Sequence, residues 1–154
     1  MQNLRLLFNL DANVKSKLCN FIGNLCRHSA YFYDILIKED LLKGVMKGVT
    51  DPDAGVRKFA CFAVGNVGFH NDRLYDKLRG VCPGLVELLK DNEEKIRANA
   101  AGALGNFVRN SSVLAKDLIK NGALLALLDL VLNDKGPVFI LLSLYLPEKL
   151  PCFQ

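Results

Sequence analysis

The sequence predicts an all-α solenoid in which a unit of about 40 residues recurs three to four times. Three segments align without gaps, and each has an aliphatic residue, then a basic one, and a Gly-Asn pair nine positions after its start: residues 14–29, 56–71 and 96–111. The glycines of these pairs, Gly23, Gly65 and Gly105, are 42 and 40 residues apart. Hydrophobic residues make up 51% of the chain and charged residues 23%, which suits a continuous core.

Each aligned segment predicts one long amphipathic helix. In the first segment, apolar residues follow one another at intervals of four, four and three, at Val14, Leu18, Ile22 and Leu25. The other two segments repeat this spacing, which keeps one face of a helix towards the core. A glycine inside a helix costs about 1 kcal/mol relative to alanine. Its recurrence at one position therefore predicts that the backbone of a neighbouring helix packs closely there.

Two shorter helices are predicted between successive long ones. The first is polar on one side: residues 31–40, 72–80 and 113–122. The second is more apolar: residues 41–49, 82–90 and 124–132. Residues typical of helix ends punctuate these stretches: Gly80, Gly122, Pro83 and the Asp-Pro-Asp of 51–53. Three helices in a unit of about 40 residues are typical of the armadillo repeat rather than of the two-helix HEAT repeat.

The chain is expected to form one domain, 1–154, that is incomplete at both ends. It divides into a partial repeat, two repeats, a repeat with a degenerate third helix and a tail: residues 2–29, 30–71, 72–111, 112–147 and 148–154. The start falls within a second helix, Asn3–Asp11, and Val138 opens a fourth long helix. Pro147 then occupies the position of Gly-Asn. An uncapped solenoid end exposes apolar surface.

The cysteines, the first residues and the apolar runs argue against a disulfide-stabilised, a secreted and a membrane-spanning protein. The five cysteines are an odd number at no metal-like spacing, which predicts reduced thiols rather than a disulfide framework. Cys19 and Cys61 share one repeat position with Ala101, so we expect them to be small core residues. The first residues lack the basic and apolar regions of a secretory signal. The apolar run Val138–Leu146 is too short to span a bilayer, so no membrane contact is expected.

No catalytic or cofactor-binding pattern emerges from the sequence. It contains no GxGxxG, no His-Arg-Asp and no Asp-Phe-Gly. The two histidines, His28 and His70, are too few for a histidine-rich metal site, and Cys26 near His28 favours a structural role. We therefore expect no enzyme, no cofactor and no metal. The acids Asp51, Asp53, Glu93 and Glu94 stand where caps or loops are predicted.

Two stretches resemble known repeats in detail. The segments NGALLALLDLVLND and IRANAAGALGNFVRNS resemble the second and third helices of the armadillo consensus, a right-handed superhelix. More narrowly, 58–79 and 95–114 resemble the C-terminal armadillo region of Fused-type serine/threonine kinases. This resemblance implies a parent protein with an N-terminal kinase domain that the chain does not contain. It also implies signalling in the cytoplasm, assembly of the ciliary axoneme with kinesin-like partners, or cytokinesis.

In armadillo proteins the third helices line a concave face, and an asparagine on each holds the main chain of an extended partner. The resemblance assigns that role to Asn24, Asn66 and Asn106. A carboxamide can pair with a peptide N–H and C=O together. Because helices stack about 8–10 Å apart and an extended chain rises about 3.3 Å per residue, one asparagine would meet every third residue or so. Alternatively, the asparagines satisfy their own loops or face solvent.

Helical neighbours of the asparagines extend the candidate protein-binding site by one turn in each direction. These are Arg27, His28, Phe62, Phe69, His70, Arg109 and Asn110. The chain has no tryptophan to clamp lysine stems, which argues against recognition of a basic nuclear signal. The long helices carry eight basic residues against one acid, and Arg27 and Arg109 predict an acidic partner. Nucleic acid is not expected without an aromatic platform.

Lys15, Arg57 and Arg97, at the starts of the long helices, are as readily explained by exposure to solvent. The sequence thus favours a non-catalytic scaffold that binds an extended, partly acidic protein segment. The alternative is a structural spacer that self-associates through exposed solenoid ends.

Overall fold

The computed structural model describes residues 4–133, and within them every regular secondary-structure element is a helix. The α-helices, in chain order, are α1 (Ala12–Cys26), α2 (Tyr33–Lys38), α3 (Leu41–Gly48), α4 (Ala54–Val67), α5 (Tyr75–Leu78), α6 (Cys82–Glu87), α7 (Glu94–Asn110), α8 (Ser112–Lys120) and α9 (Ala123–Asn133). Short 3-10 helices lie at Leu4–Asn9, Ala30–Phe32, Arg79–Val81 and Leu88–Lys90. The expectations for Val138–Leu146, Pro147 and the tail fall outside the described residues.

The three long helices stack side by side, α1 on α4 and α4 on α7. Residues at matching positions of the three are buried, as the spacing predicted: Leu18, Ala60 and Ala100, then Ile22, Val64 and Leu104. Val56 and Ile96 are buried too, whereas Val14 is half-buried. In the described part of the chain, one 3-10 turn precedes α1, so less protein covers the start of that helix.

Close approach of neighbouring helices explains two of the three recurring glycines. A Cβ atom on Gly23 would lie 2.5 Å from Cδ1 of Phe62 and 3.1 Å from Cα of Ala63. On Gly65 it would lie 3.0 Å from Cα of Ala103. Gly105 differs, because none of the described residues comes within 4 Å of such an atom. The next long helix of the pattern would begin at Val138, beyond residue 133.

Helix ends follow the predicted capping residues in part. Side chains of Asp11 and Asp53 accept hydrogen bonds from the backbone N–H groups of Val14 and Val56, which fixes the starts of α1 and α4. Glu93 precedes α7 without a side-chain cap. Gly122 follows α8 at φ 83°, a conformation that glycine adopts without strain.

The shorter helices depart from the predicted boundaries. Residues 72–80 form one α-turn, α5, and then a 3-10 turn that contains Gly80, so this glycine does not end a regular helix. Glycine and the following Pro83 both disfavour a continuous α-helix, and Pro83 lies in the first turn of α6. Residues 3–11, expected to be a second helix, form the 3-10 helix Leu4–Asn9. Among residues 4–133, no helix is long and apolar enough to cross a bilayer.

Candidate functional site

Two asparagines of the Gly-Asn pairs, Asn66 and Asn106, bind the long helix that precedes their own. Nδ2 of Asn66 donates to the carbonyl oxygen of Gly23 at 3.0 Å, and Nδ2 of Asn106 donates to that of Gly65 at 3.1 Å. Both glycines are among the last four residues of their helices, whose carbonyls lack a helical partner. Each of these two asparagines therefore joins one long helix to the next.

The solenoid itself uses these two asparagines, so the geometry supports part of the alternative interpretation. A carboxamide has two amide hydrogens and an acceptor oxygen. Within the described residues, Asn66 and Asn106 each make one side-chain hydrogen bond, which leaves one N–H and the Oδ1 atom uncommitted. Both side chains are half-buried at equivalent positions. They can hold the array together and present a carboxamide edge at the same time.

Asn24 has a different environment from its two counterparts. It is exposed, and its Nδ2 atom donates to the backbone oxygen of Asn20 at 2.9 Å and to Oδ1 of Asn20 at 3.1 Å. These bonds lie within α1 and join no second helix. The row of three predicted from the sequence is thus two inter-helix asparagines and one intra-helix asparagine.

One turn later lies a second row of equivalent residues, His28, His70 and Asn110, of which His70 and Asn110 repeat the arrangement and His28 is exposed. Nε2 of His70 lies 2.9 Å from the carbonyl oxygen of Cys26 and 3.2 Å from that of Arg27. Since both partners are acceptors, Nε2 carries the hydrogen. Nδ2 of Asn110 donates to the carbonyl oxygen of Phe69 at 3.0 Å.

Arg27, Phe69 and Arg109 occupy another shared repeat position beside these rows. The guanidinium carbon of Arg109 lies 4.7 Å from the ring centroid of Phe69, at cation–π distance. The same ring meets that of His70 edge to face, with centroids 5.1 Å apart. Arg27 and Arg109 are both exposed. The structure therefore gathers Phe69, His70, Arg109 and Asn110 into one cluster at the ends of the long helices.

Phe62 is the predicted site residue that the packing uses most directly. Its ring lies over Gly23 and fills the space that a side chain there would need. The side chain is half-buried. Phe62 contributes one face of its ring to the surface at most, and its main contact is with α1.

The basic residues at the starts of the long helices correct a sequence-based expectation. Lys15 and Arg57 form ion pairs instead of facing solvent. Nζ of Lys15 lies 2.8 Å from Oδ2 of Asp51, and Nε of Arg57 lies 2.8 Å from Oδ2 of Asp91. Arg57 also donates to the backbone oxygen of Asp51, as Arg97 does to that of Asp91. These side chains fix the loop between repeats. Asp51 and Asp91, 40 residues apart, were the signal that could have revealed the pairs.

Electrostatics support these ion pairs. Burial raises the pKa of Asp91, but hydrogen bonds from Arg57 and from the Glu93 backbone outweigh it, so the pKa lies below its usual value. The pKa of Asp51 is lowered in the same way against burial, through Lys15. Both carboxylates are therefore held in their charged form.

The four thiols in the described part of the chain are unsuited to chemistry. Burial raises the pKa of Cys19 and of Cys61 to about 12, and that of Cys26 and of Cys82 to about 11. Protonated thiols are neither nucleophiles nor metal ligands. Cys19 and Cys61 are fully buried, which confirms them as small core residues. No group of three or more metal-binding side chains occurs among residues 4–133.

Stacked three-helix units with inter-helix asparagines define an armadillo-repeat segment. A computationally designed armadillo repeat protein for modular peptide recognition superimposes on 94% of the chain and 62% of its own, with a TM-score of 0.85 and 26% identity. Residues 19–145 match the Cnd1 family model, described as non-SMC mitotic condensation complex subunit 1, and the chain belongs to that family.

Fused-type kinases are among the curated relatives, as the resemblance indicated. The chain is 46% identical over 126 residues to the serine/threonine-protein kinase TIO of Arabidopsis thaliana. It is 33% identical over 133 residues to serine/threonine-protein kinase 36 of Mus musculus. These alignments cover 81% and 86% of the chain but 10% of each kinase. The chain thus spans about a tenth of the length of these relatives and matches their armadillo region rather than their kinase domain.

Proposed function

We propose that the surface formed by α1, α4 and α7 binds an extended, partly acidic protein segment, as a non-catalytic scaffold of a Fused-like kinase. The observation that carries the proposal is the equivalent placement of Asn66 and Asn106. Each retains an amide hydrogen and an acceptor oxygen after its bond to the preceding helix. Two uncommitted carboxamide edges one repeat apart can pair with two peptide groups of one extended chain.

The charge of the surface supports an acidic partner. Arg27 and Arg109 are exposed, and neither forms an ion pair within the described residues. Arg109 rests on the ring of Phe69, which restrains its guanidinium. A restrained guanidinium loses less entropy when it binds a carboxylate than a free one does. Acidic side chains that flank the bound backbone would meet these two arginines.

The designed armadillo repeat protein for modular peptide recognition supports a protein ligand for the same fold. The kinase relatives support placement within a serine/threonine kinase. We propose that this kinase acts in signalling in the cytoplasm, at the ciliary axoneme or at the division site, with kinesin-like or other axonemal partners. These roles rest on relatives of which the chain covers a tenth. They are part of the proposal.

A peptide-display selection on the full chain tests the proposal. We expect selected peptides to be extended and acidic. Arg27→Glu/Arg109→Glu should weaken their binding about tenfold or more, since charge-assisted hydrogen bonds contribute about 1.5–3 kcal/mol. The matched control is Lys116→Glu/Lys120→Glu on α8, which changes the net charge equally through two exposed lysines. Equal weakening by both variants, or selection of basic peptides, contradicts the proposal.

Self-association is a second candidate function, favoured by the apolar surface of α9. Leu125 is 73% exposed and Leu132 is 78% exposed, with Leu124 and Leu128 beside them. Contiguous exposed leucines mark an interaction surface. Sedimentation of the isolated chain separates the two functions, because end-to-end association makes the sedimentation coefficient rise with concentration.

A further inference from the structure

A second surface of the molecule is built from the short helices. Lys43 and Lys47 lie one turn apart on α3, and both are exposed. Open grooves flank this ridge on both sides. One, of about 530 Å³, lies between α2–α3 and α5–α6, and the other, of about 470 Å³, lies between α3 and the 3-10 helix Leu4–Asn9. Asp40 lines both grooves together with the two lysines.

The first groove has an apolar floor. It is lined by Leu36 and Ile37 of α2, Met46 of α3 and Val81 from the neighbouring repeat. Ile37 is 39% exposed although it is aliphatic. Gly80 keeps one wall low, because a Cβ atom there would meet a single described atom within 4 Å, Cε of Met46 at 3.7 Å. The groove therefore has room for aliphatic side chains of a ligand.

The rim of the two grooves is positively charged and uncompensated. Arg5, Lys43, Lys47 and Lys77 line them, and none of the four forms an ion pair within residues 4–133. Two further charges of the second groove, Lys15 and Asp51, neutralise each other. Apart from that pair, Asp40 is the acid that lines the grooves, beside these four cations. Such a field favours negatively charged ligands.

We propose that the α3 ridge, defined by Asp40, Lys43 and Lys47 with its two grooves, binds an acidic amphipathic segment of a protein partner. Carboxylates of that segment pair with Lys43, Lys47 and Lys77, and its aliphatic side chains enter the apolar groove. No residue that lines the first groove belongs to α1, α4 or α7. In the second groove, Lys15 and Val56 belong to α1 and α4, but they lie near the starts of these helices, whereas the asparagines lie near their ends. The ridge is therefore separate from the asparagine surface, and the scaffold binds a second partner there.

The test uses a fluorescent synthetic peptide that forms a helix with leucines on one face and glutamates on the other. Fluorescence anisotropy measures its affinity for the full chain. Lys43→Glu/Lys47→Glu should weaken binding at least tenfold, whereas Lys116→Glu/Lys120→Glu should leave it unchanged. Gly80→Leu, which fills the groove without changing charge, should also weaken binding. Circular dichroism checks that each variant is folded.

Three results overturn the proposal. The first is equal binding of a scrambled peptide of the same composition, which shows a contact of charge alone. Asn66→Ala/Asn106→Ala abolishes binding of the peptide, which assigns it to the other surface. Anionic vesicles or duplex DNA bind in a manner that depends on Lys43 and Lys47 while the peptide does not, which assigns the ridge to a different ligand.

Discussion

At the scale of single residues, the Gly-Asn pair has two linked purposes in the stack. The glycine lets the next long helix approach within contact of its backbone, and its carbonyl accepts the carboxamide of the next asparagine. Close packing and the hydrogen bond depend on each other, because a side chain on the glycine would push the asparagine away. The pair is therefore a recurring joint between neighbouring repeats.

Loss of the inter-helix hydrogen bond should destabilise the fold at Asn66 and Asn106, where this bond is present, more than at Asn24, where it is not. We expect Asn66→Ala and Asn106→Ala each to lower the free energy of unfolding by about 1 kcal/mol, as for a typical hydrogen bond. Asn24→Ala, which loses bonds within its own helix, is the control and should have a smaller effect. Urea denaturation measures all three. Equal effects at the three positions would show that the inter-helix bonds contribute nothing.

Gly65 and Gly105 allow a matched test of the close packing between neighbouring long helices. Gly65→Ala should destabilise the chain by about 1–3 kcal/mol, since its Cβ would press on the backbone of Ala103. Gly105→Ala meets open space in the described part of the chain and should stabilise α7 by up to about 1 kcal/mol through helix propensity. Thermal denaturation gives the sign of each change. Destabilisation at Gly105 would contradict the absence of a close neighbour.

At the scale of secondary-structure elements, ion pairs between repeats position each long helix against the following loop. Asp91 is nearly buried, with 6% of its side chain exposed, and it pairs with Arg57. The outer pair of Arg79 and Asp117 joins the 3-10 helix Arg79–Val81 to α8 at the surface, where solvent screens it. The inner pair therefore holds its two elements together more firmly than the outer pair does.

The lowered pKa of Asp91 predicts a pH dependence. Because the folded pKa lies below the unfolded value of about 4, the unfolded chain binds more protons at acid pH. The stability that the pair contributes is present above about pH 4 and is lost as the pH falls through the folded pKa. Asp91→Asn should lower the free energy of unfolding at neutral pH by about 1.5–3 kcal/mol.

The same variant should also flatten the loss of stability below about pH 4. Denaturant titrations at neutral and acid pH measure both effects, and Asp117→Asn is the control, with a smaller change. An acid transition of unchanged steepness in Asp91→Asn would contradict the role given to this pair.

Periodicity predicted the long helices well because one face of each is buried by the same neighbours in every repeat. The boundaries of the short helices were less predictable, since Gly80 and Pro83 favour turns whose type depends on the packing of α5 and α6. The asparagine positions followed from the repeat. Their bonds to preceding helices did not, because a spacing shows which residues are equivalent and not which atoms they meet. For the same reason, the sequence did not show that Arg57 pairs with Asp91.

At the scale of the whole molecule, the described residues form an array with two different faces. The long helices present carboxamides and arginines, whereas α3 presents lysines between two grooves, one of which has an apolar floor. We therefore propose that this armadillo segment brings two protein segments together. The exposed leucines of α9 add a third surface, at the end of the array.

The most direct test of this account observes the asparagine side chains themselves during binding. Acidic peptides are selected on Lys43→Glu/Lys47→Glu, which removes the α3 ridge from the selection, and are then titrated into the labelled chain. Nuclear magnetic resonance reports the side-chain amide signals of Asn66 and Asn106. We predict that both signals shift in a saturable manner together with the Nε signal of Arg109. Binding that leaves both amide signals unmoved would contradict the proposed role of the asparagines.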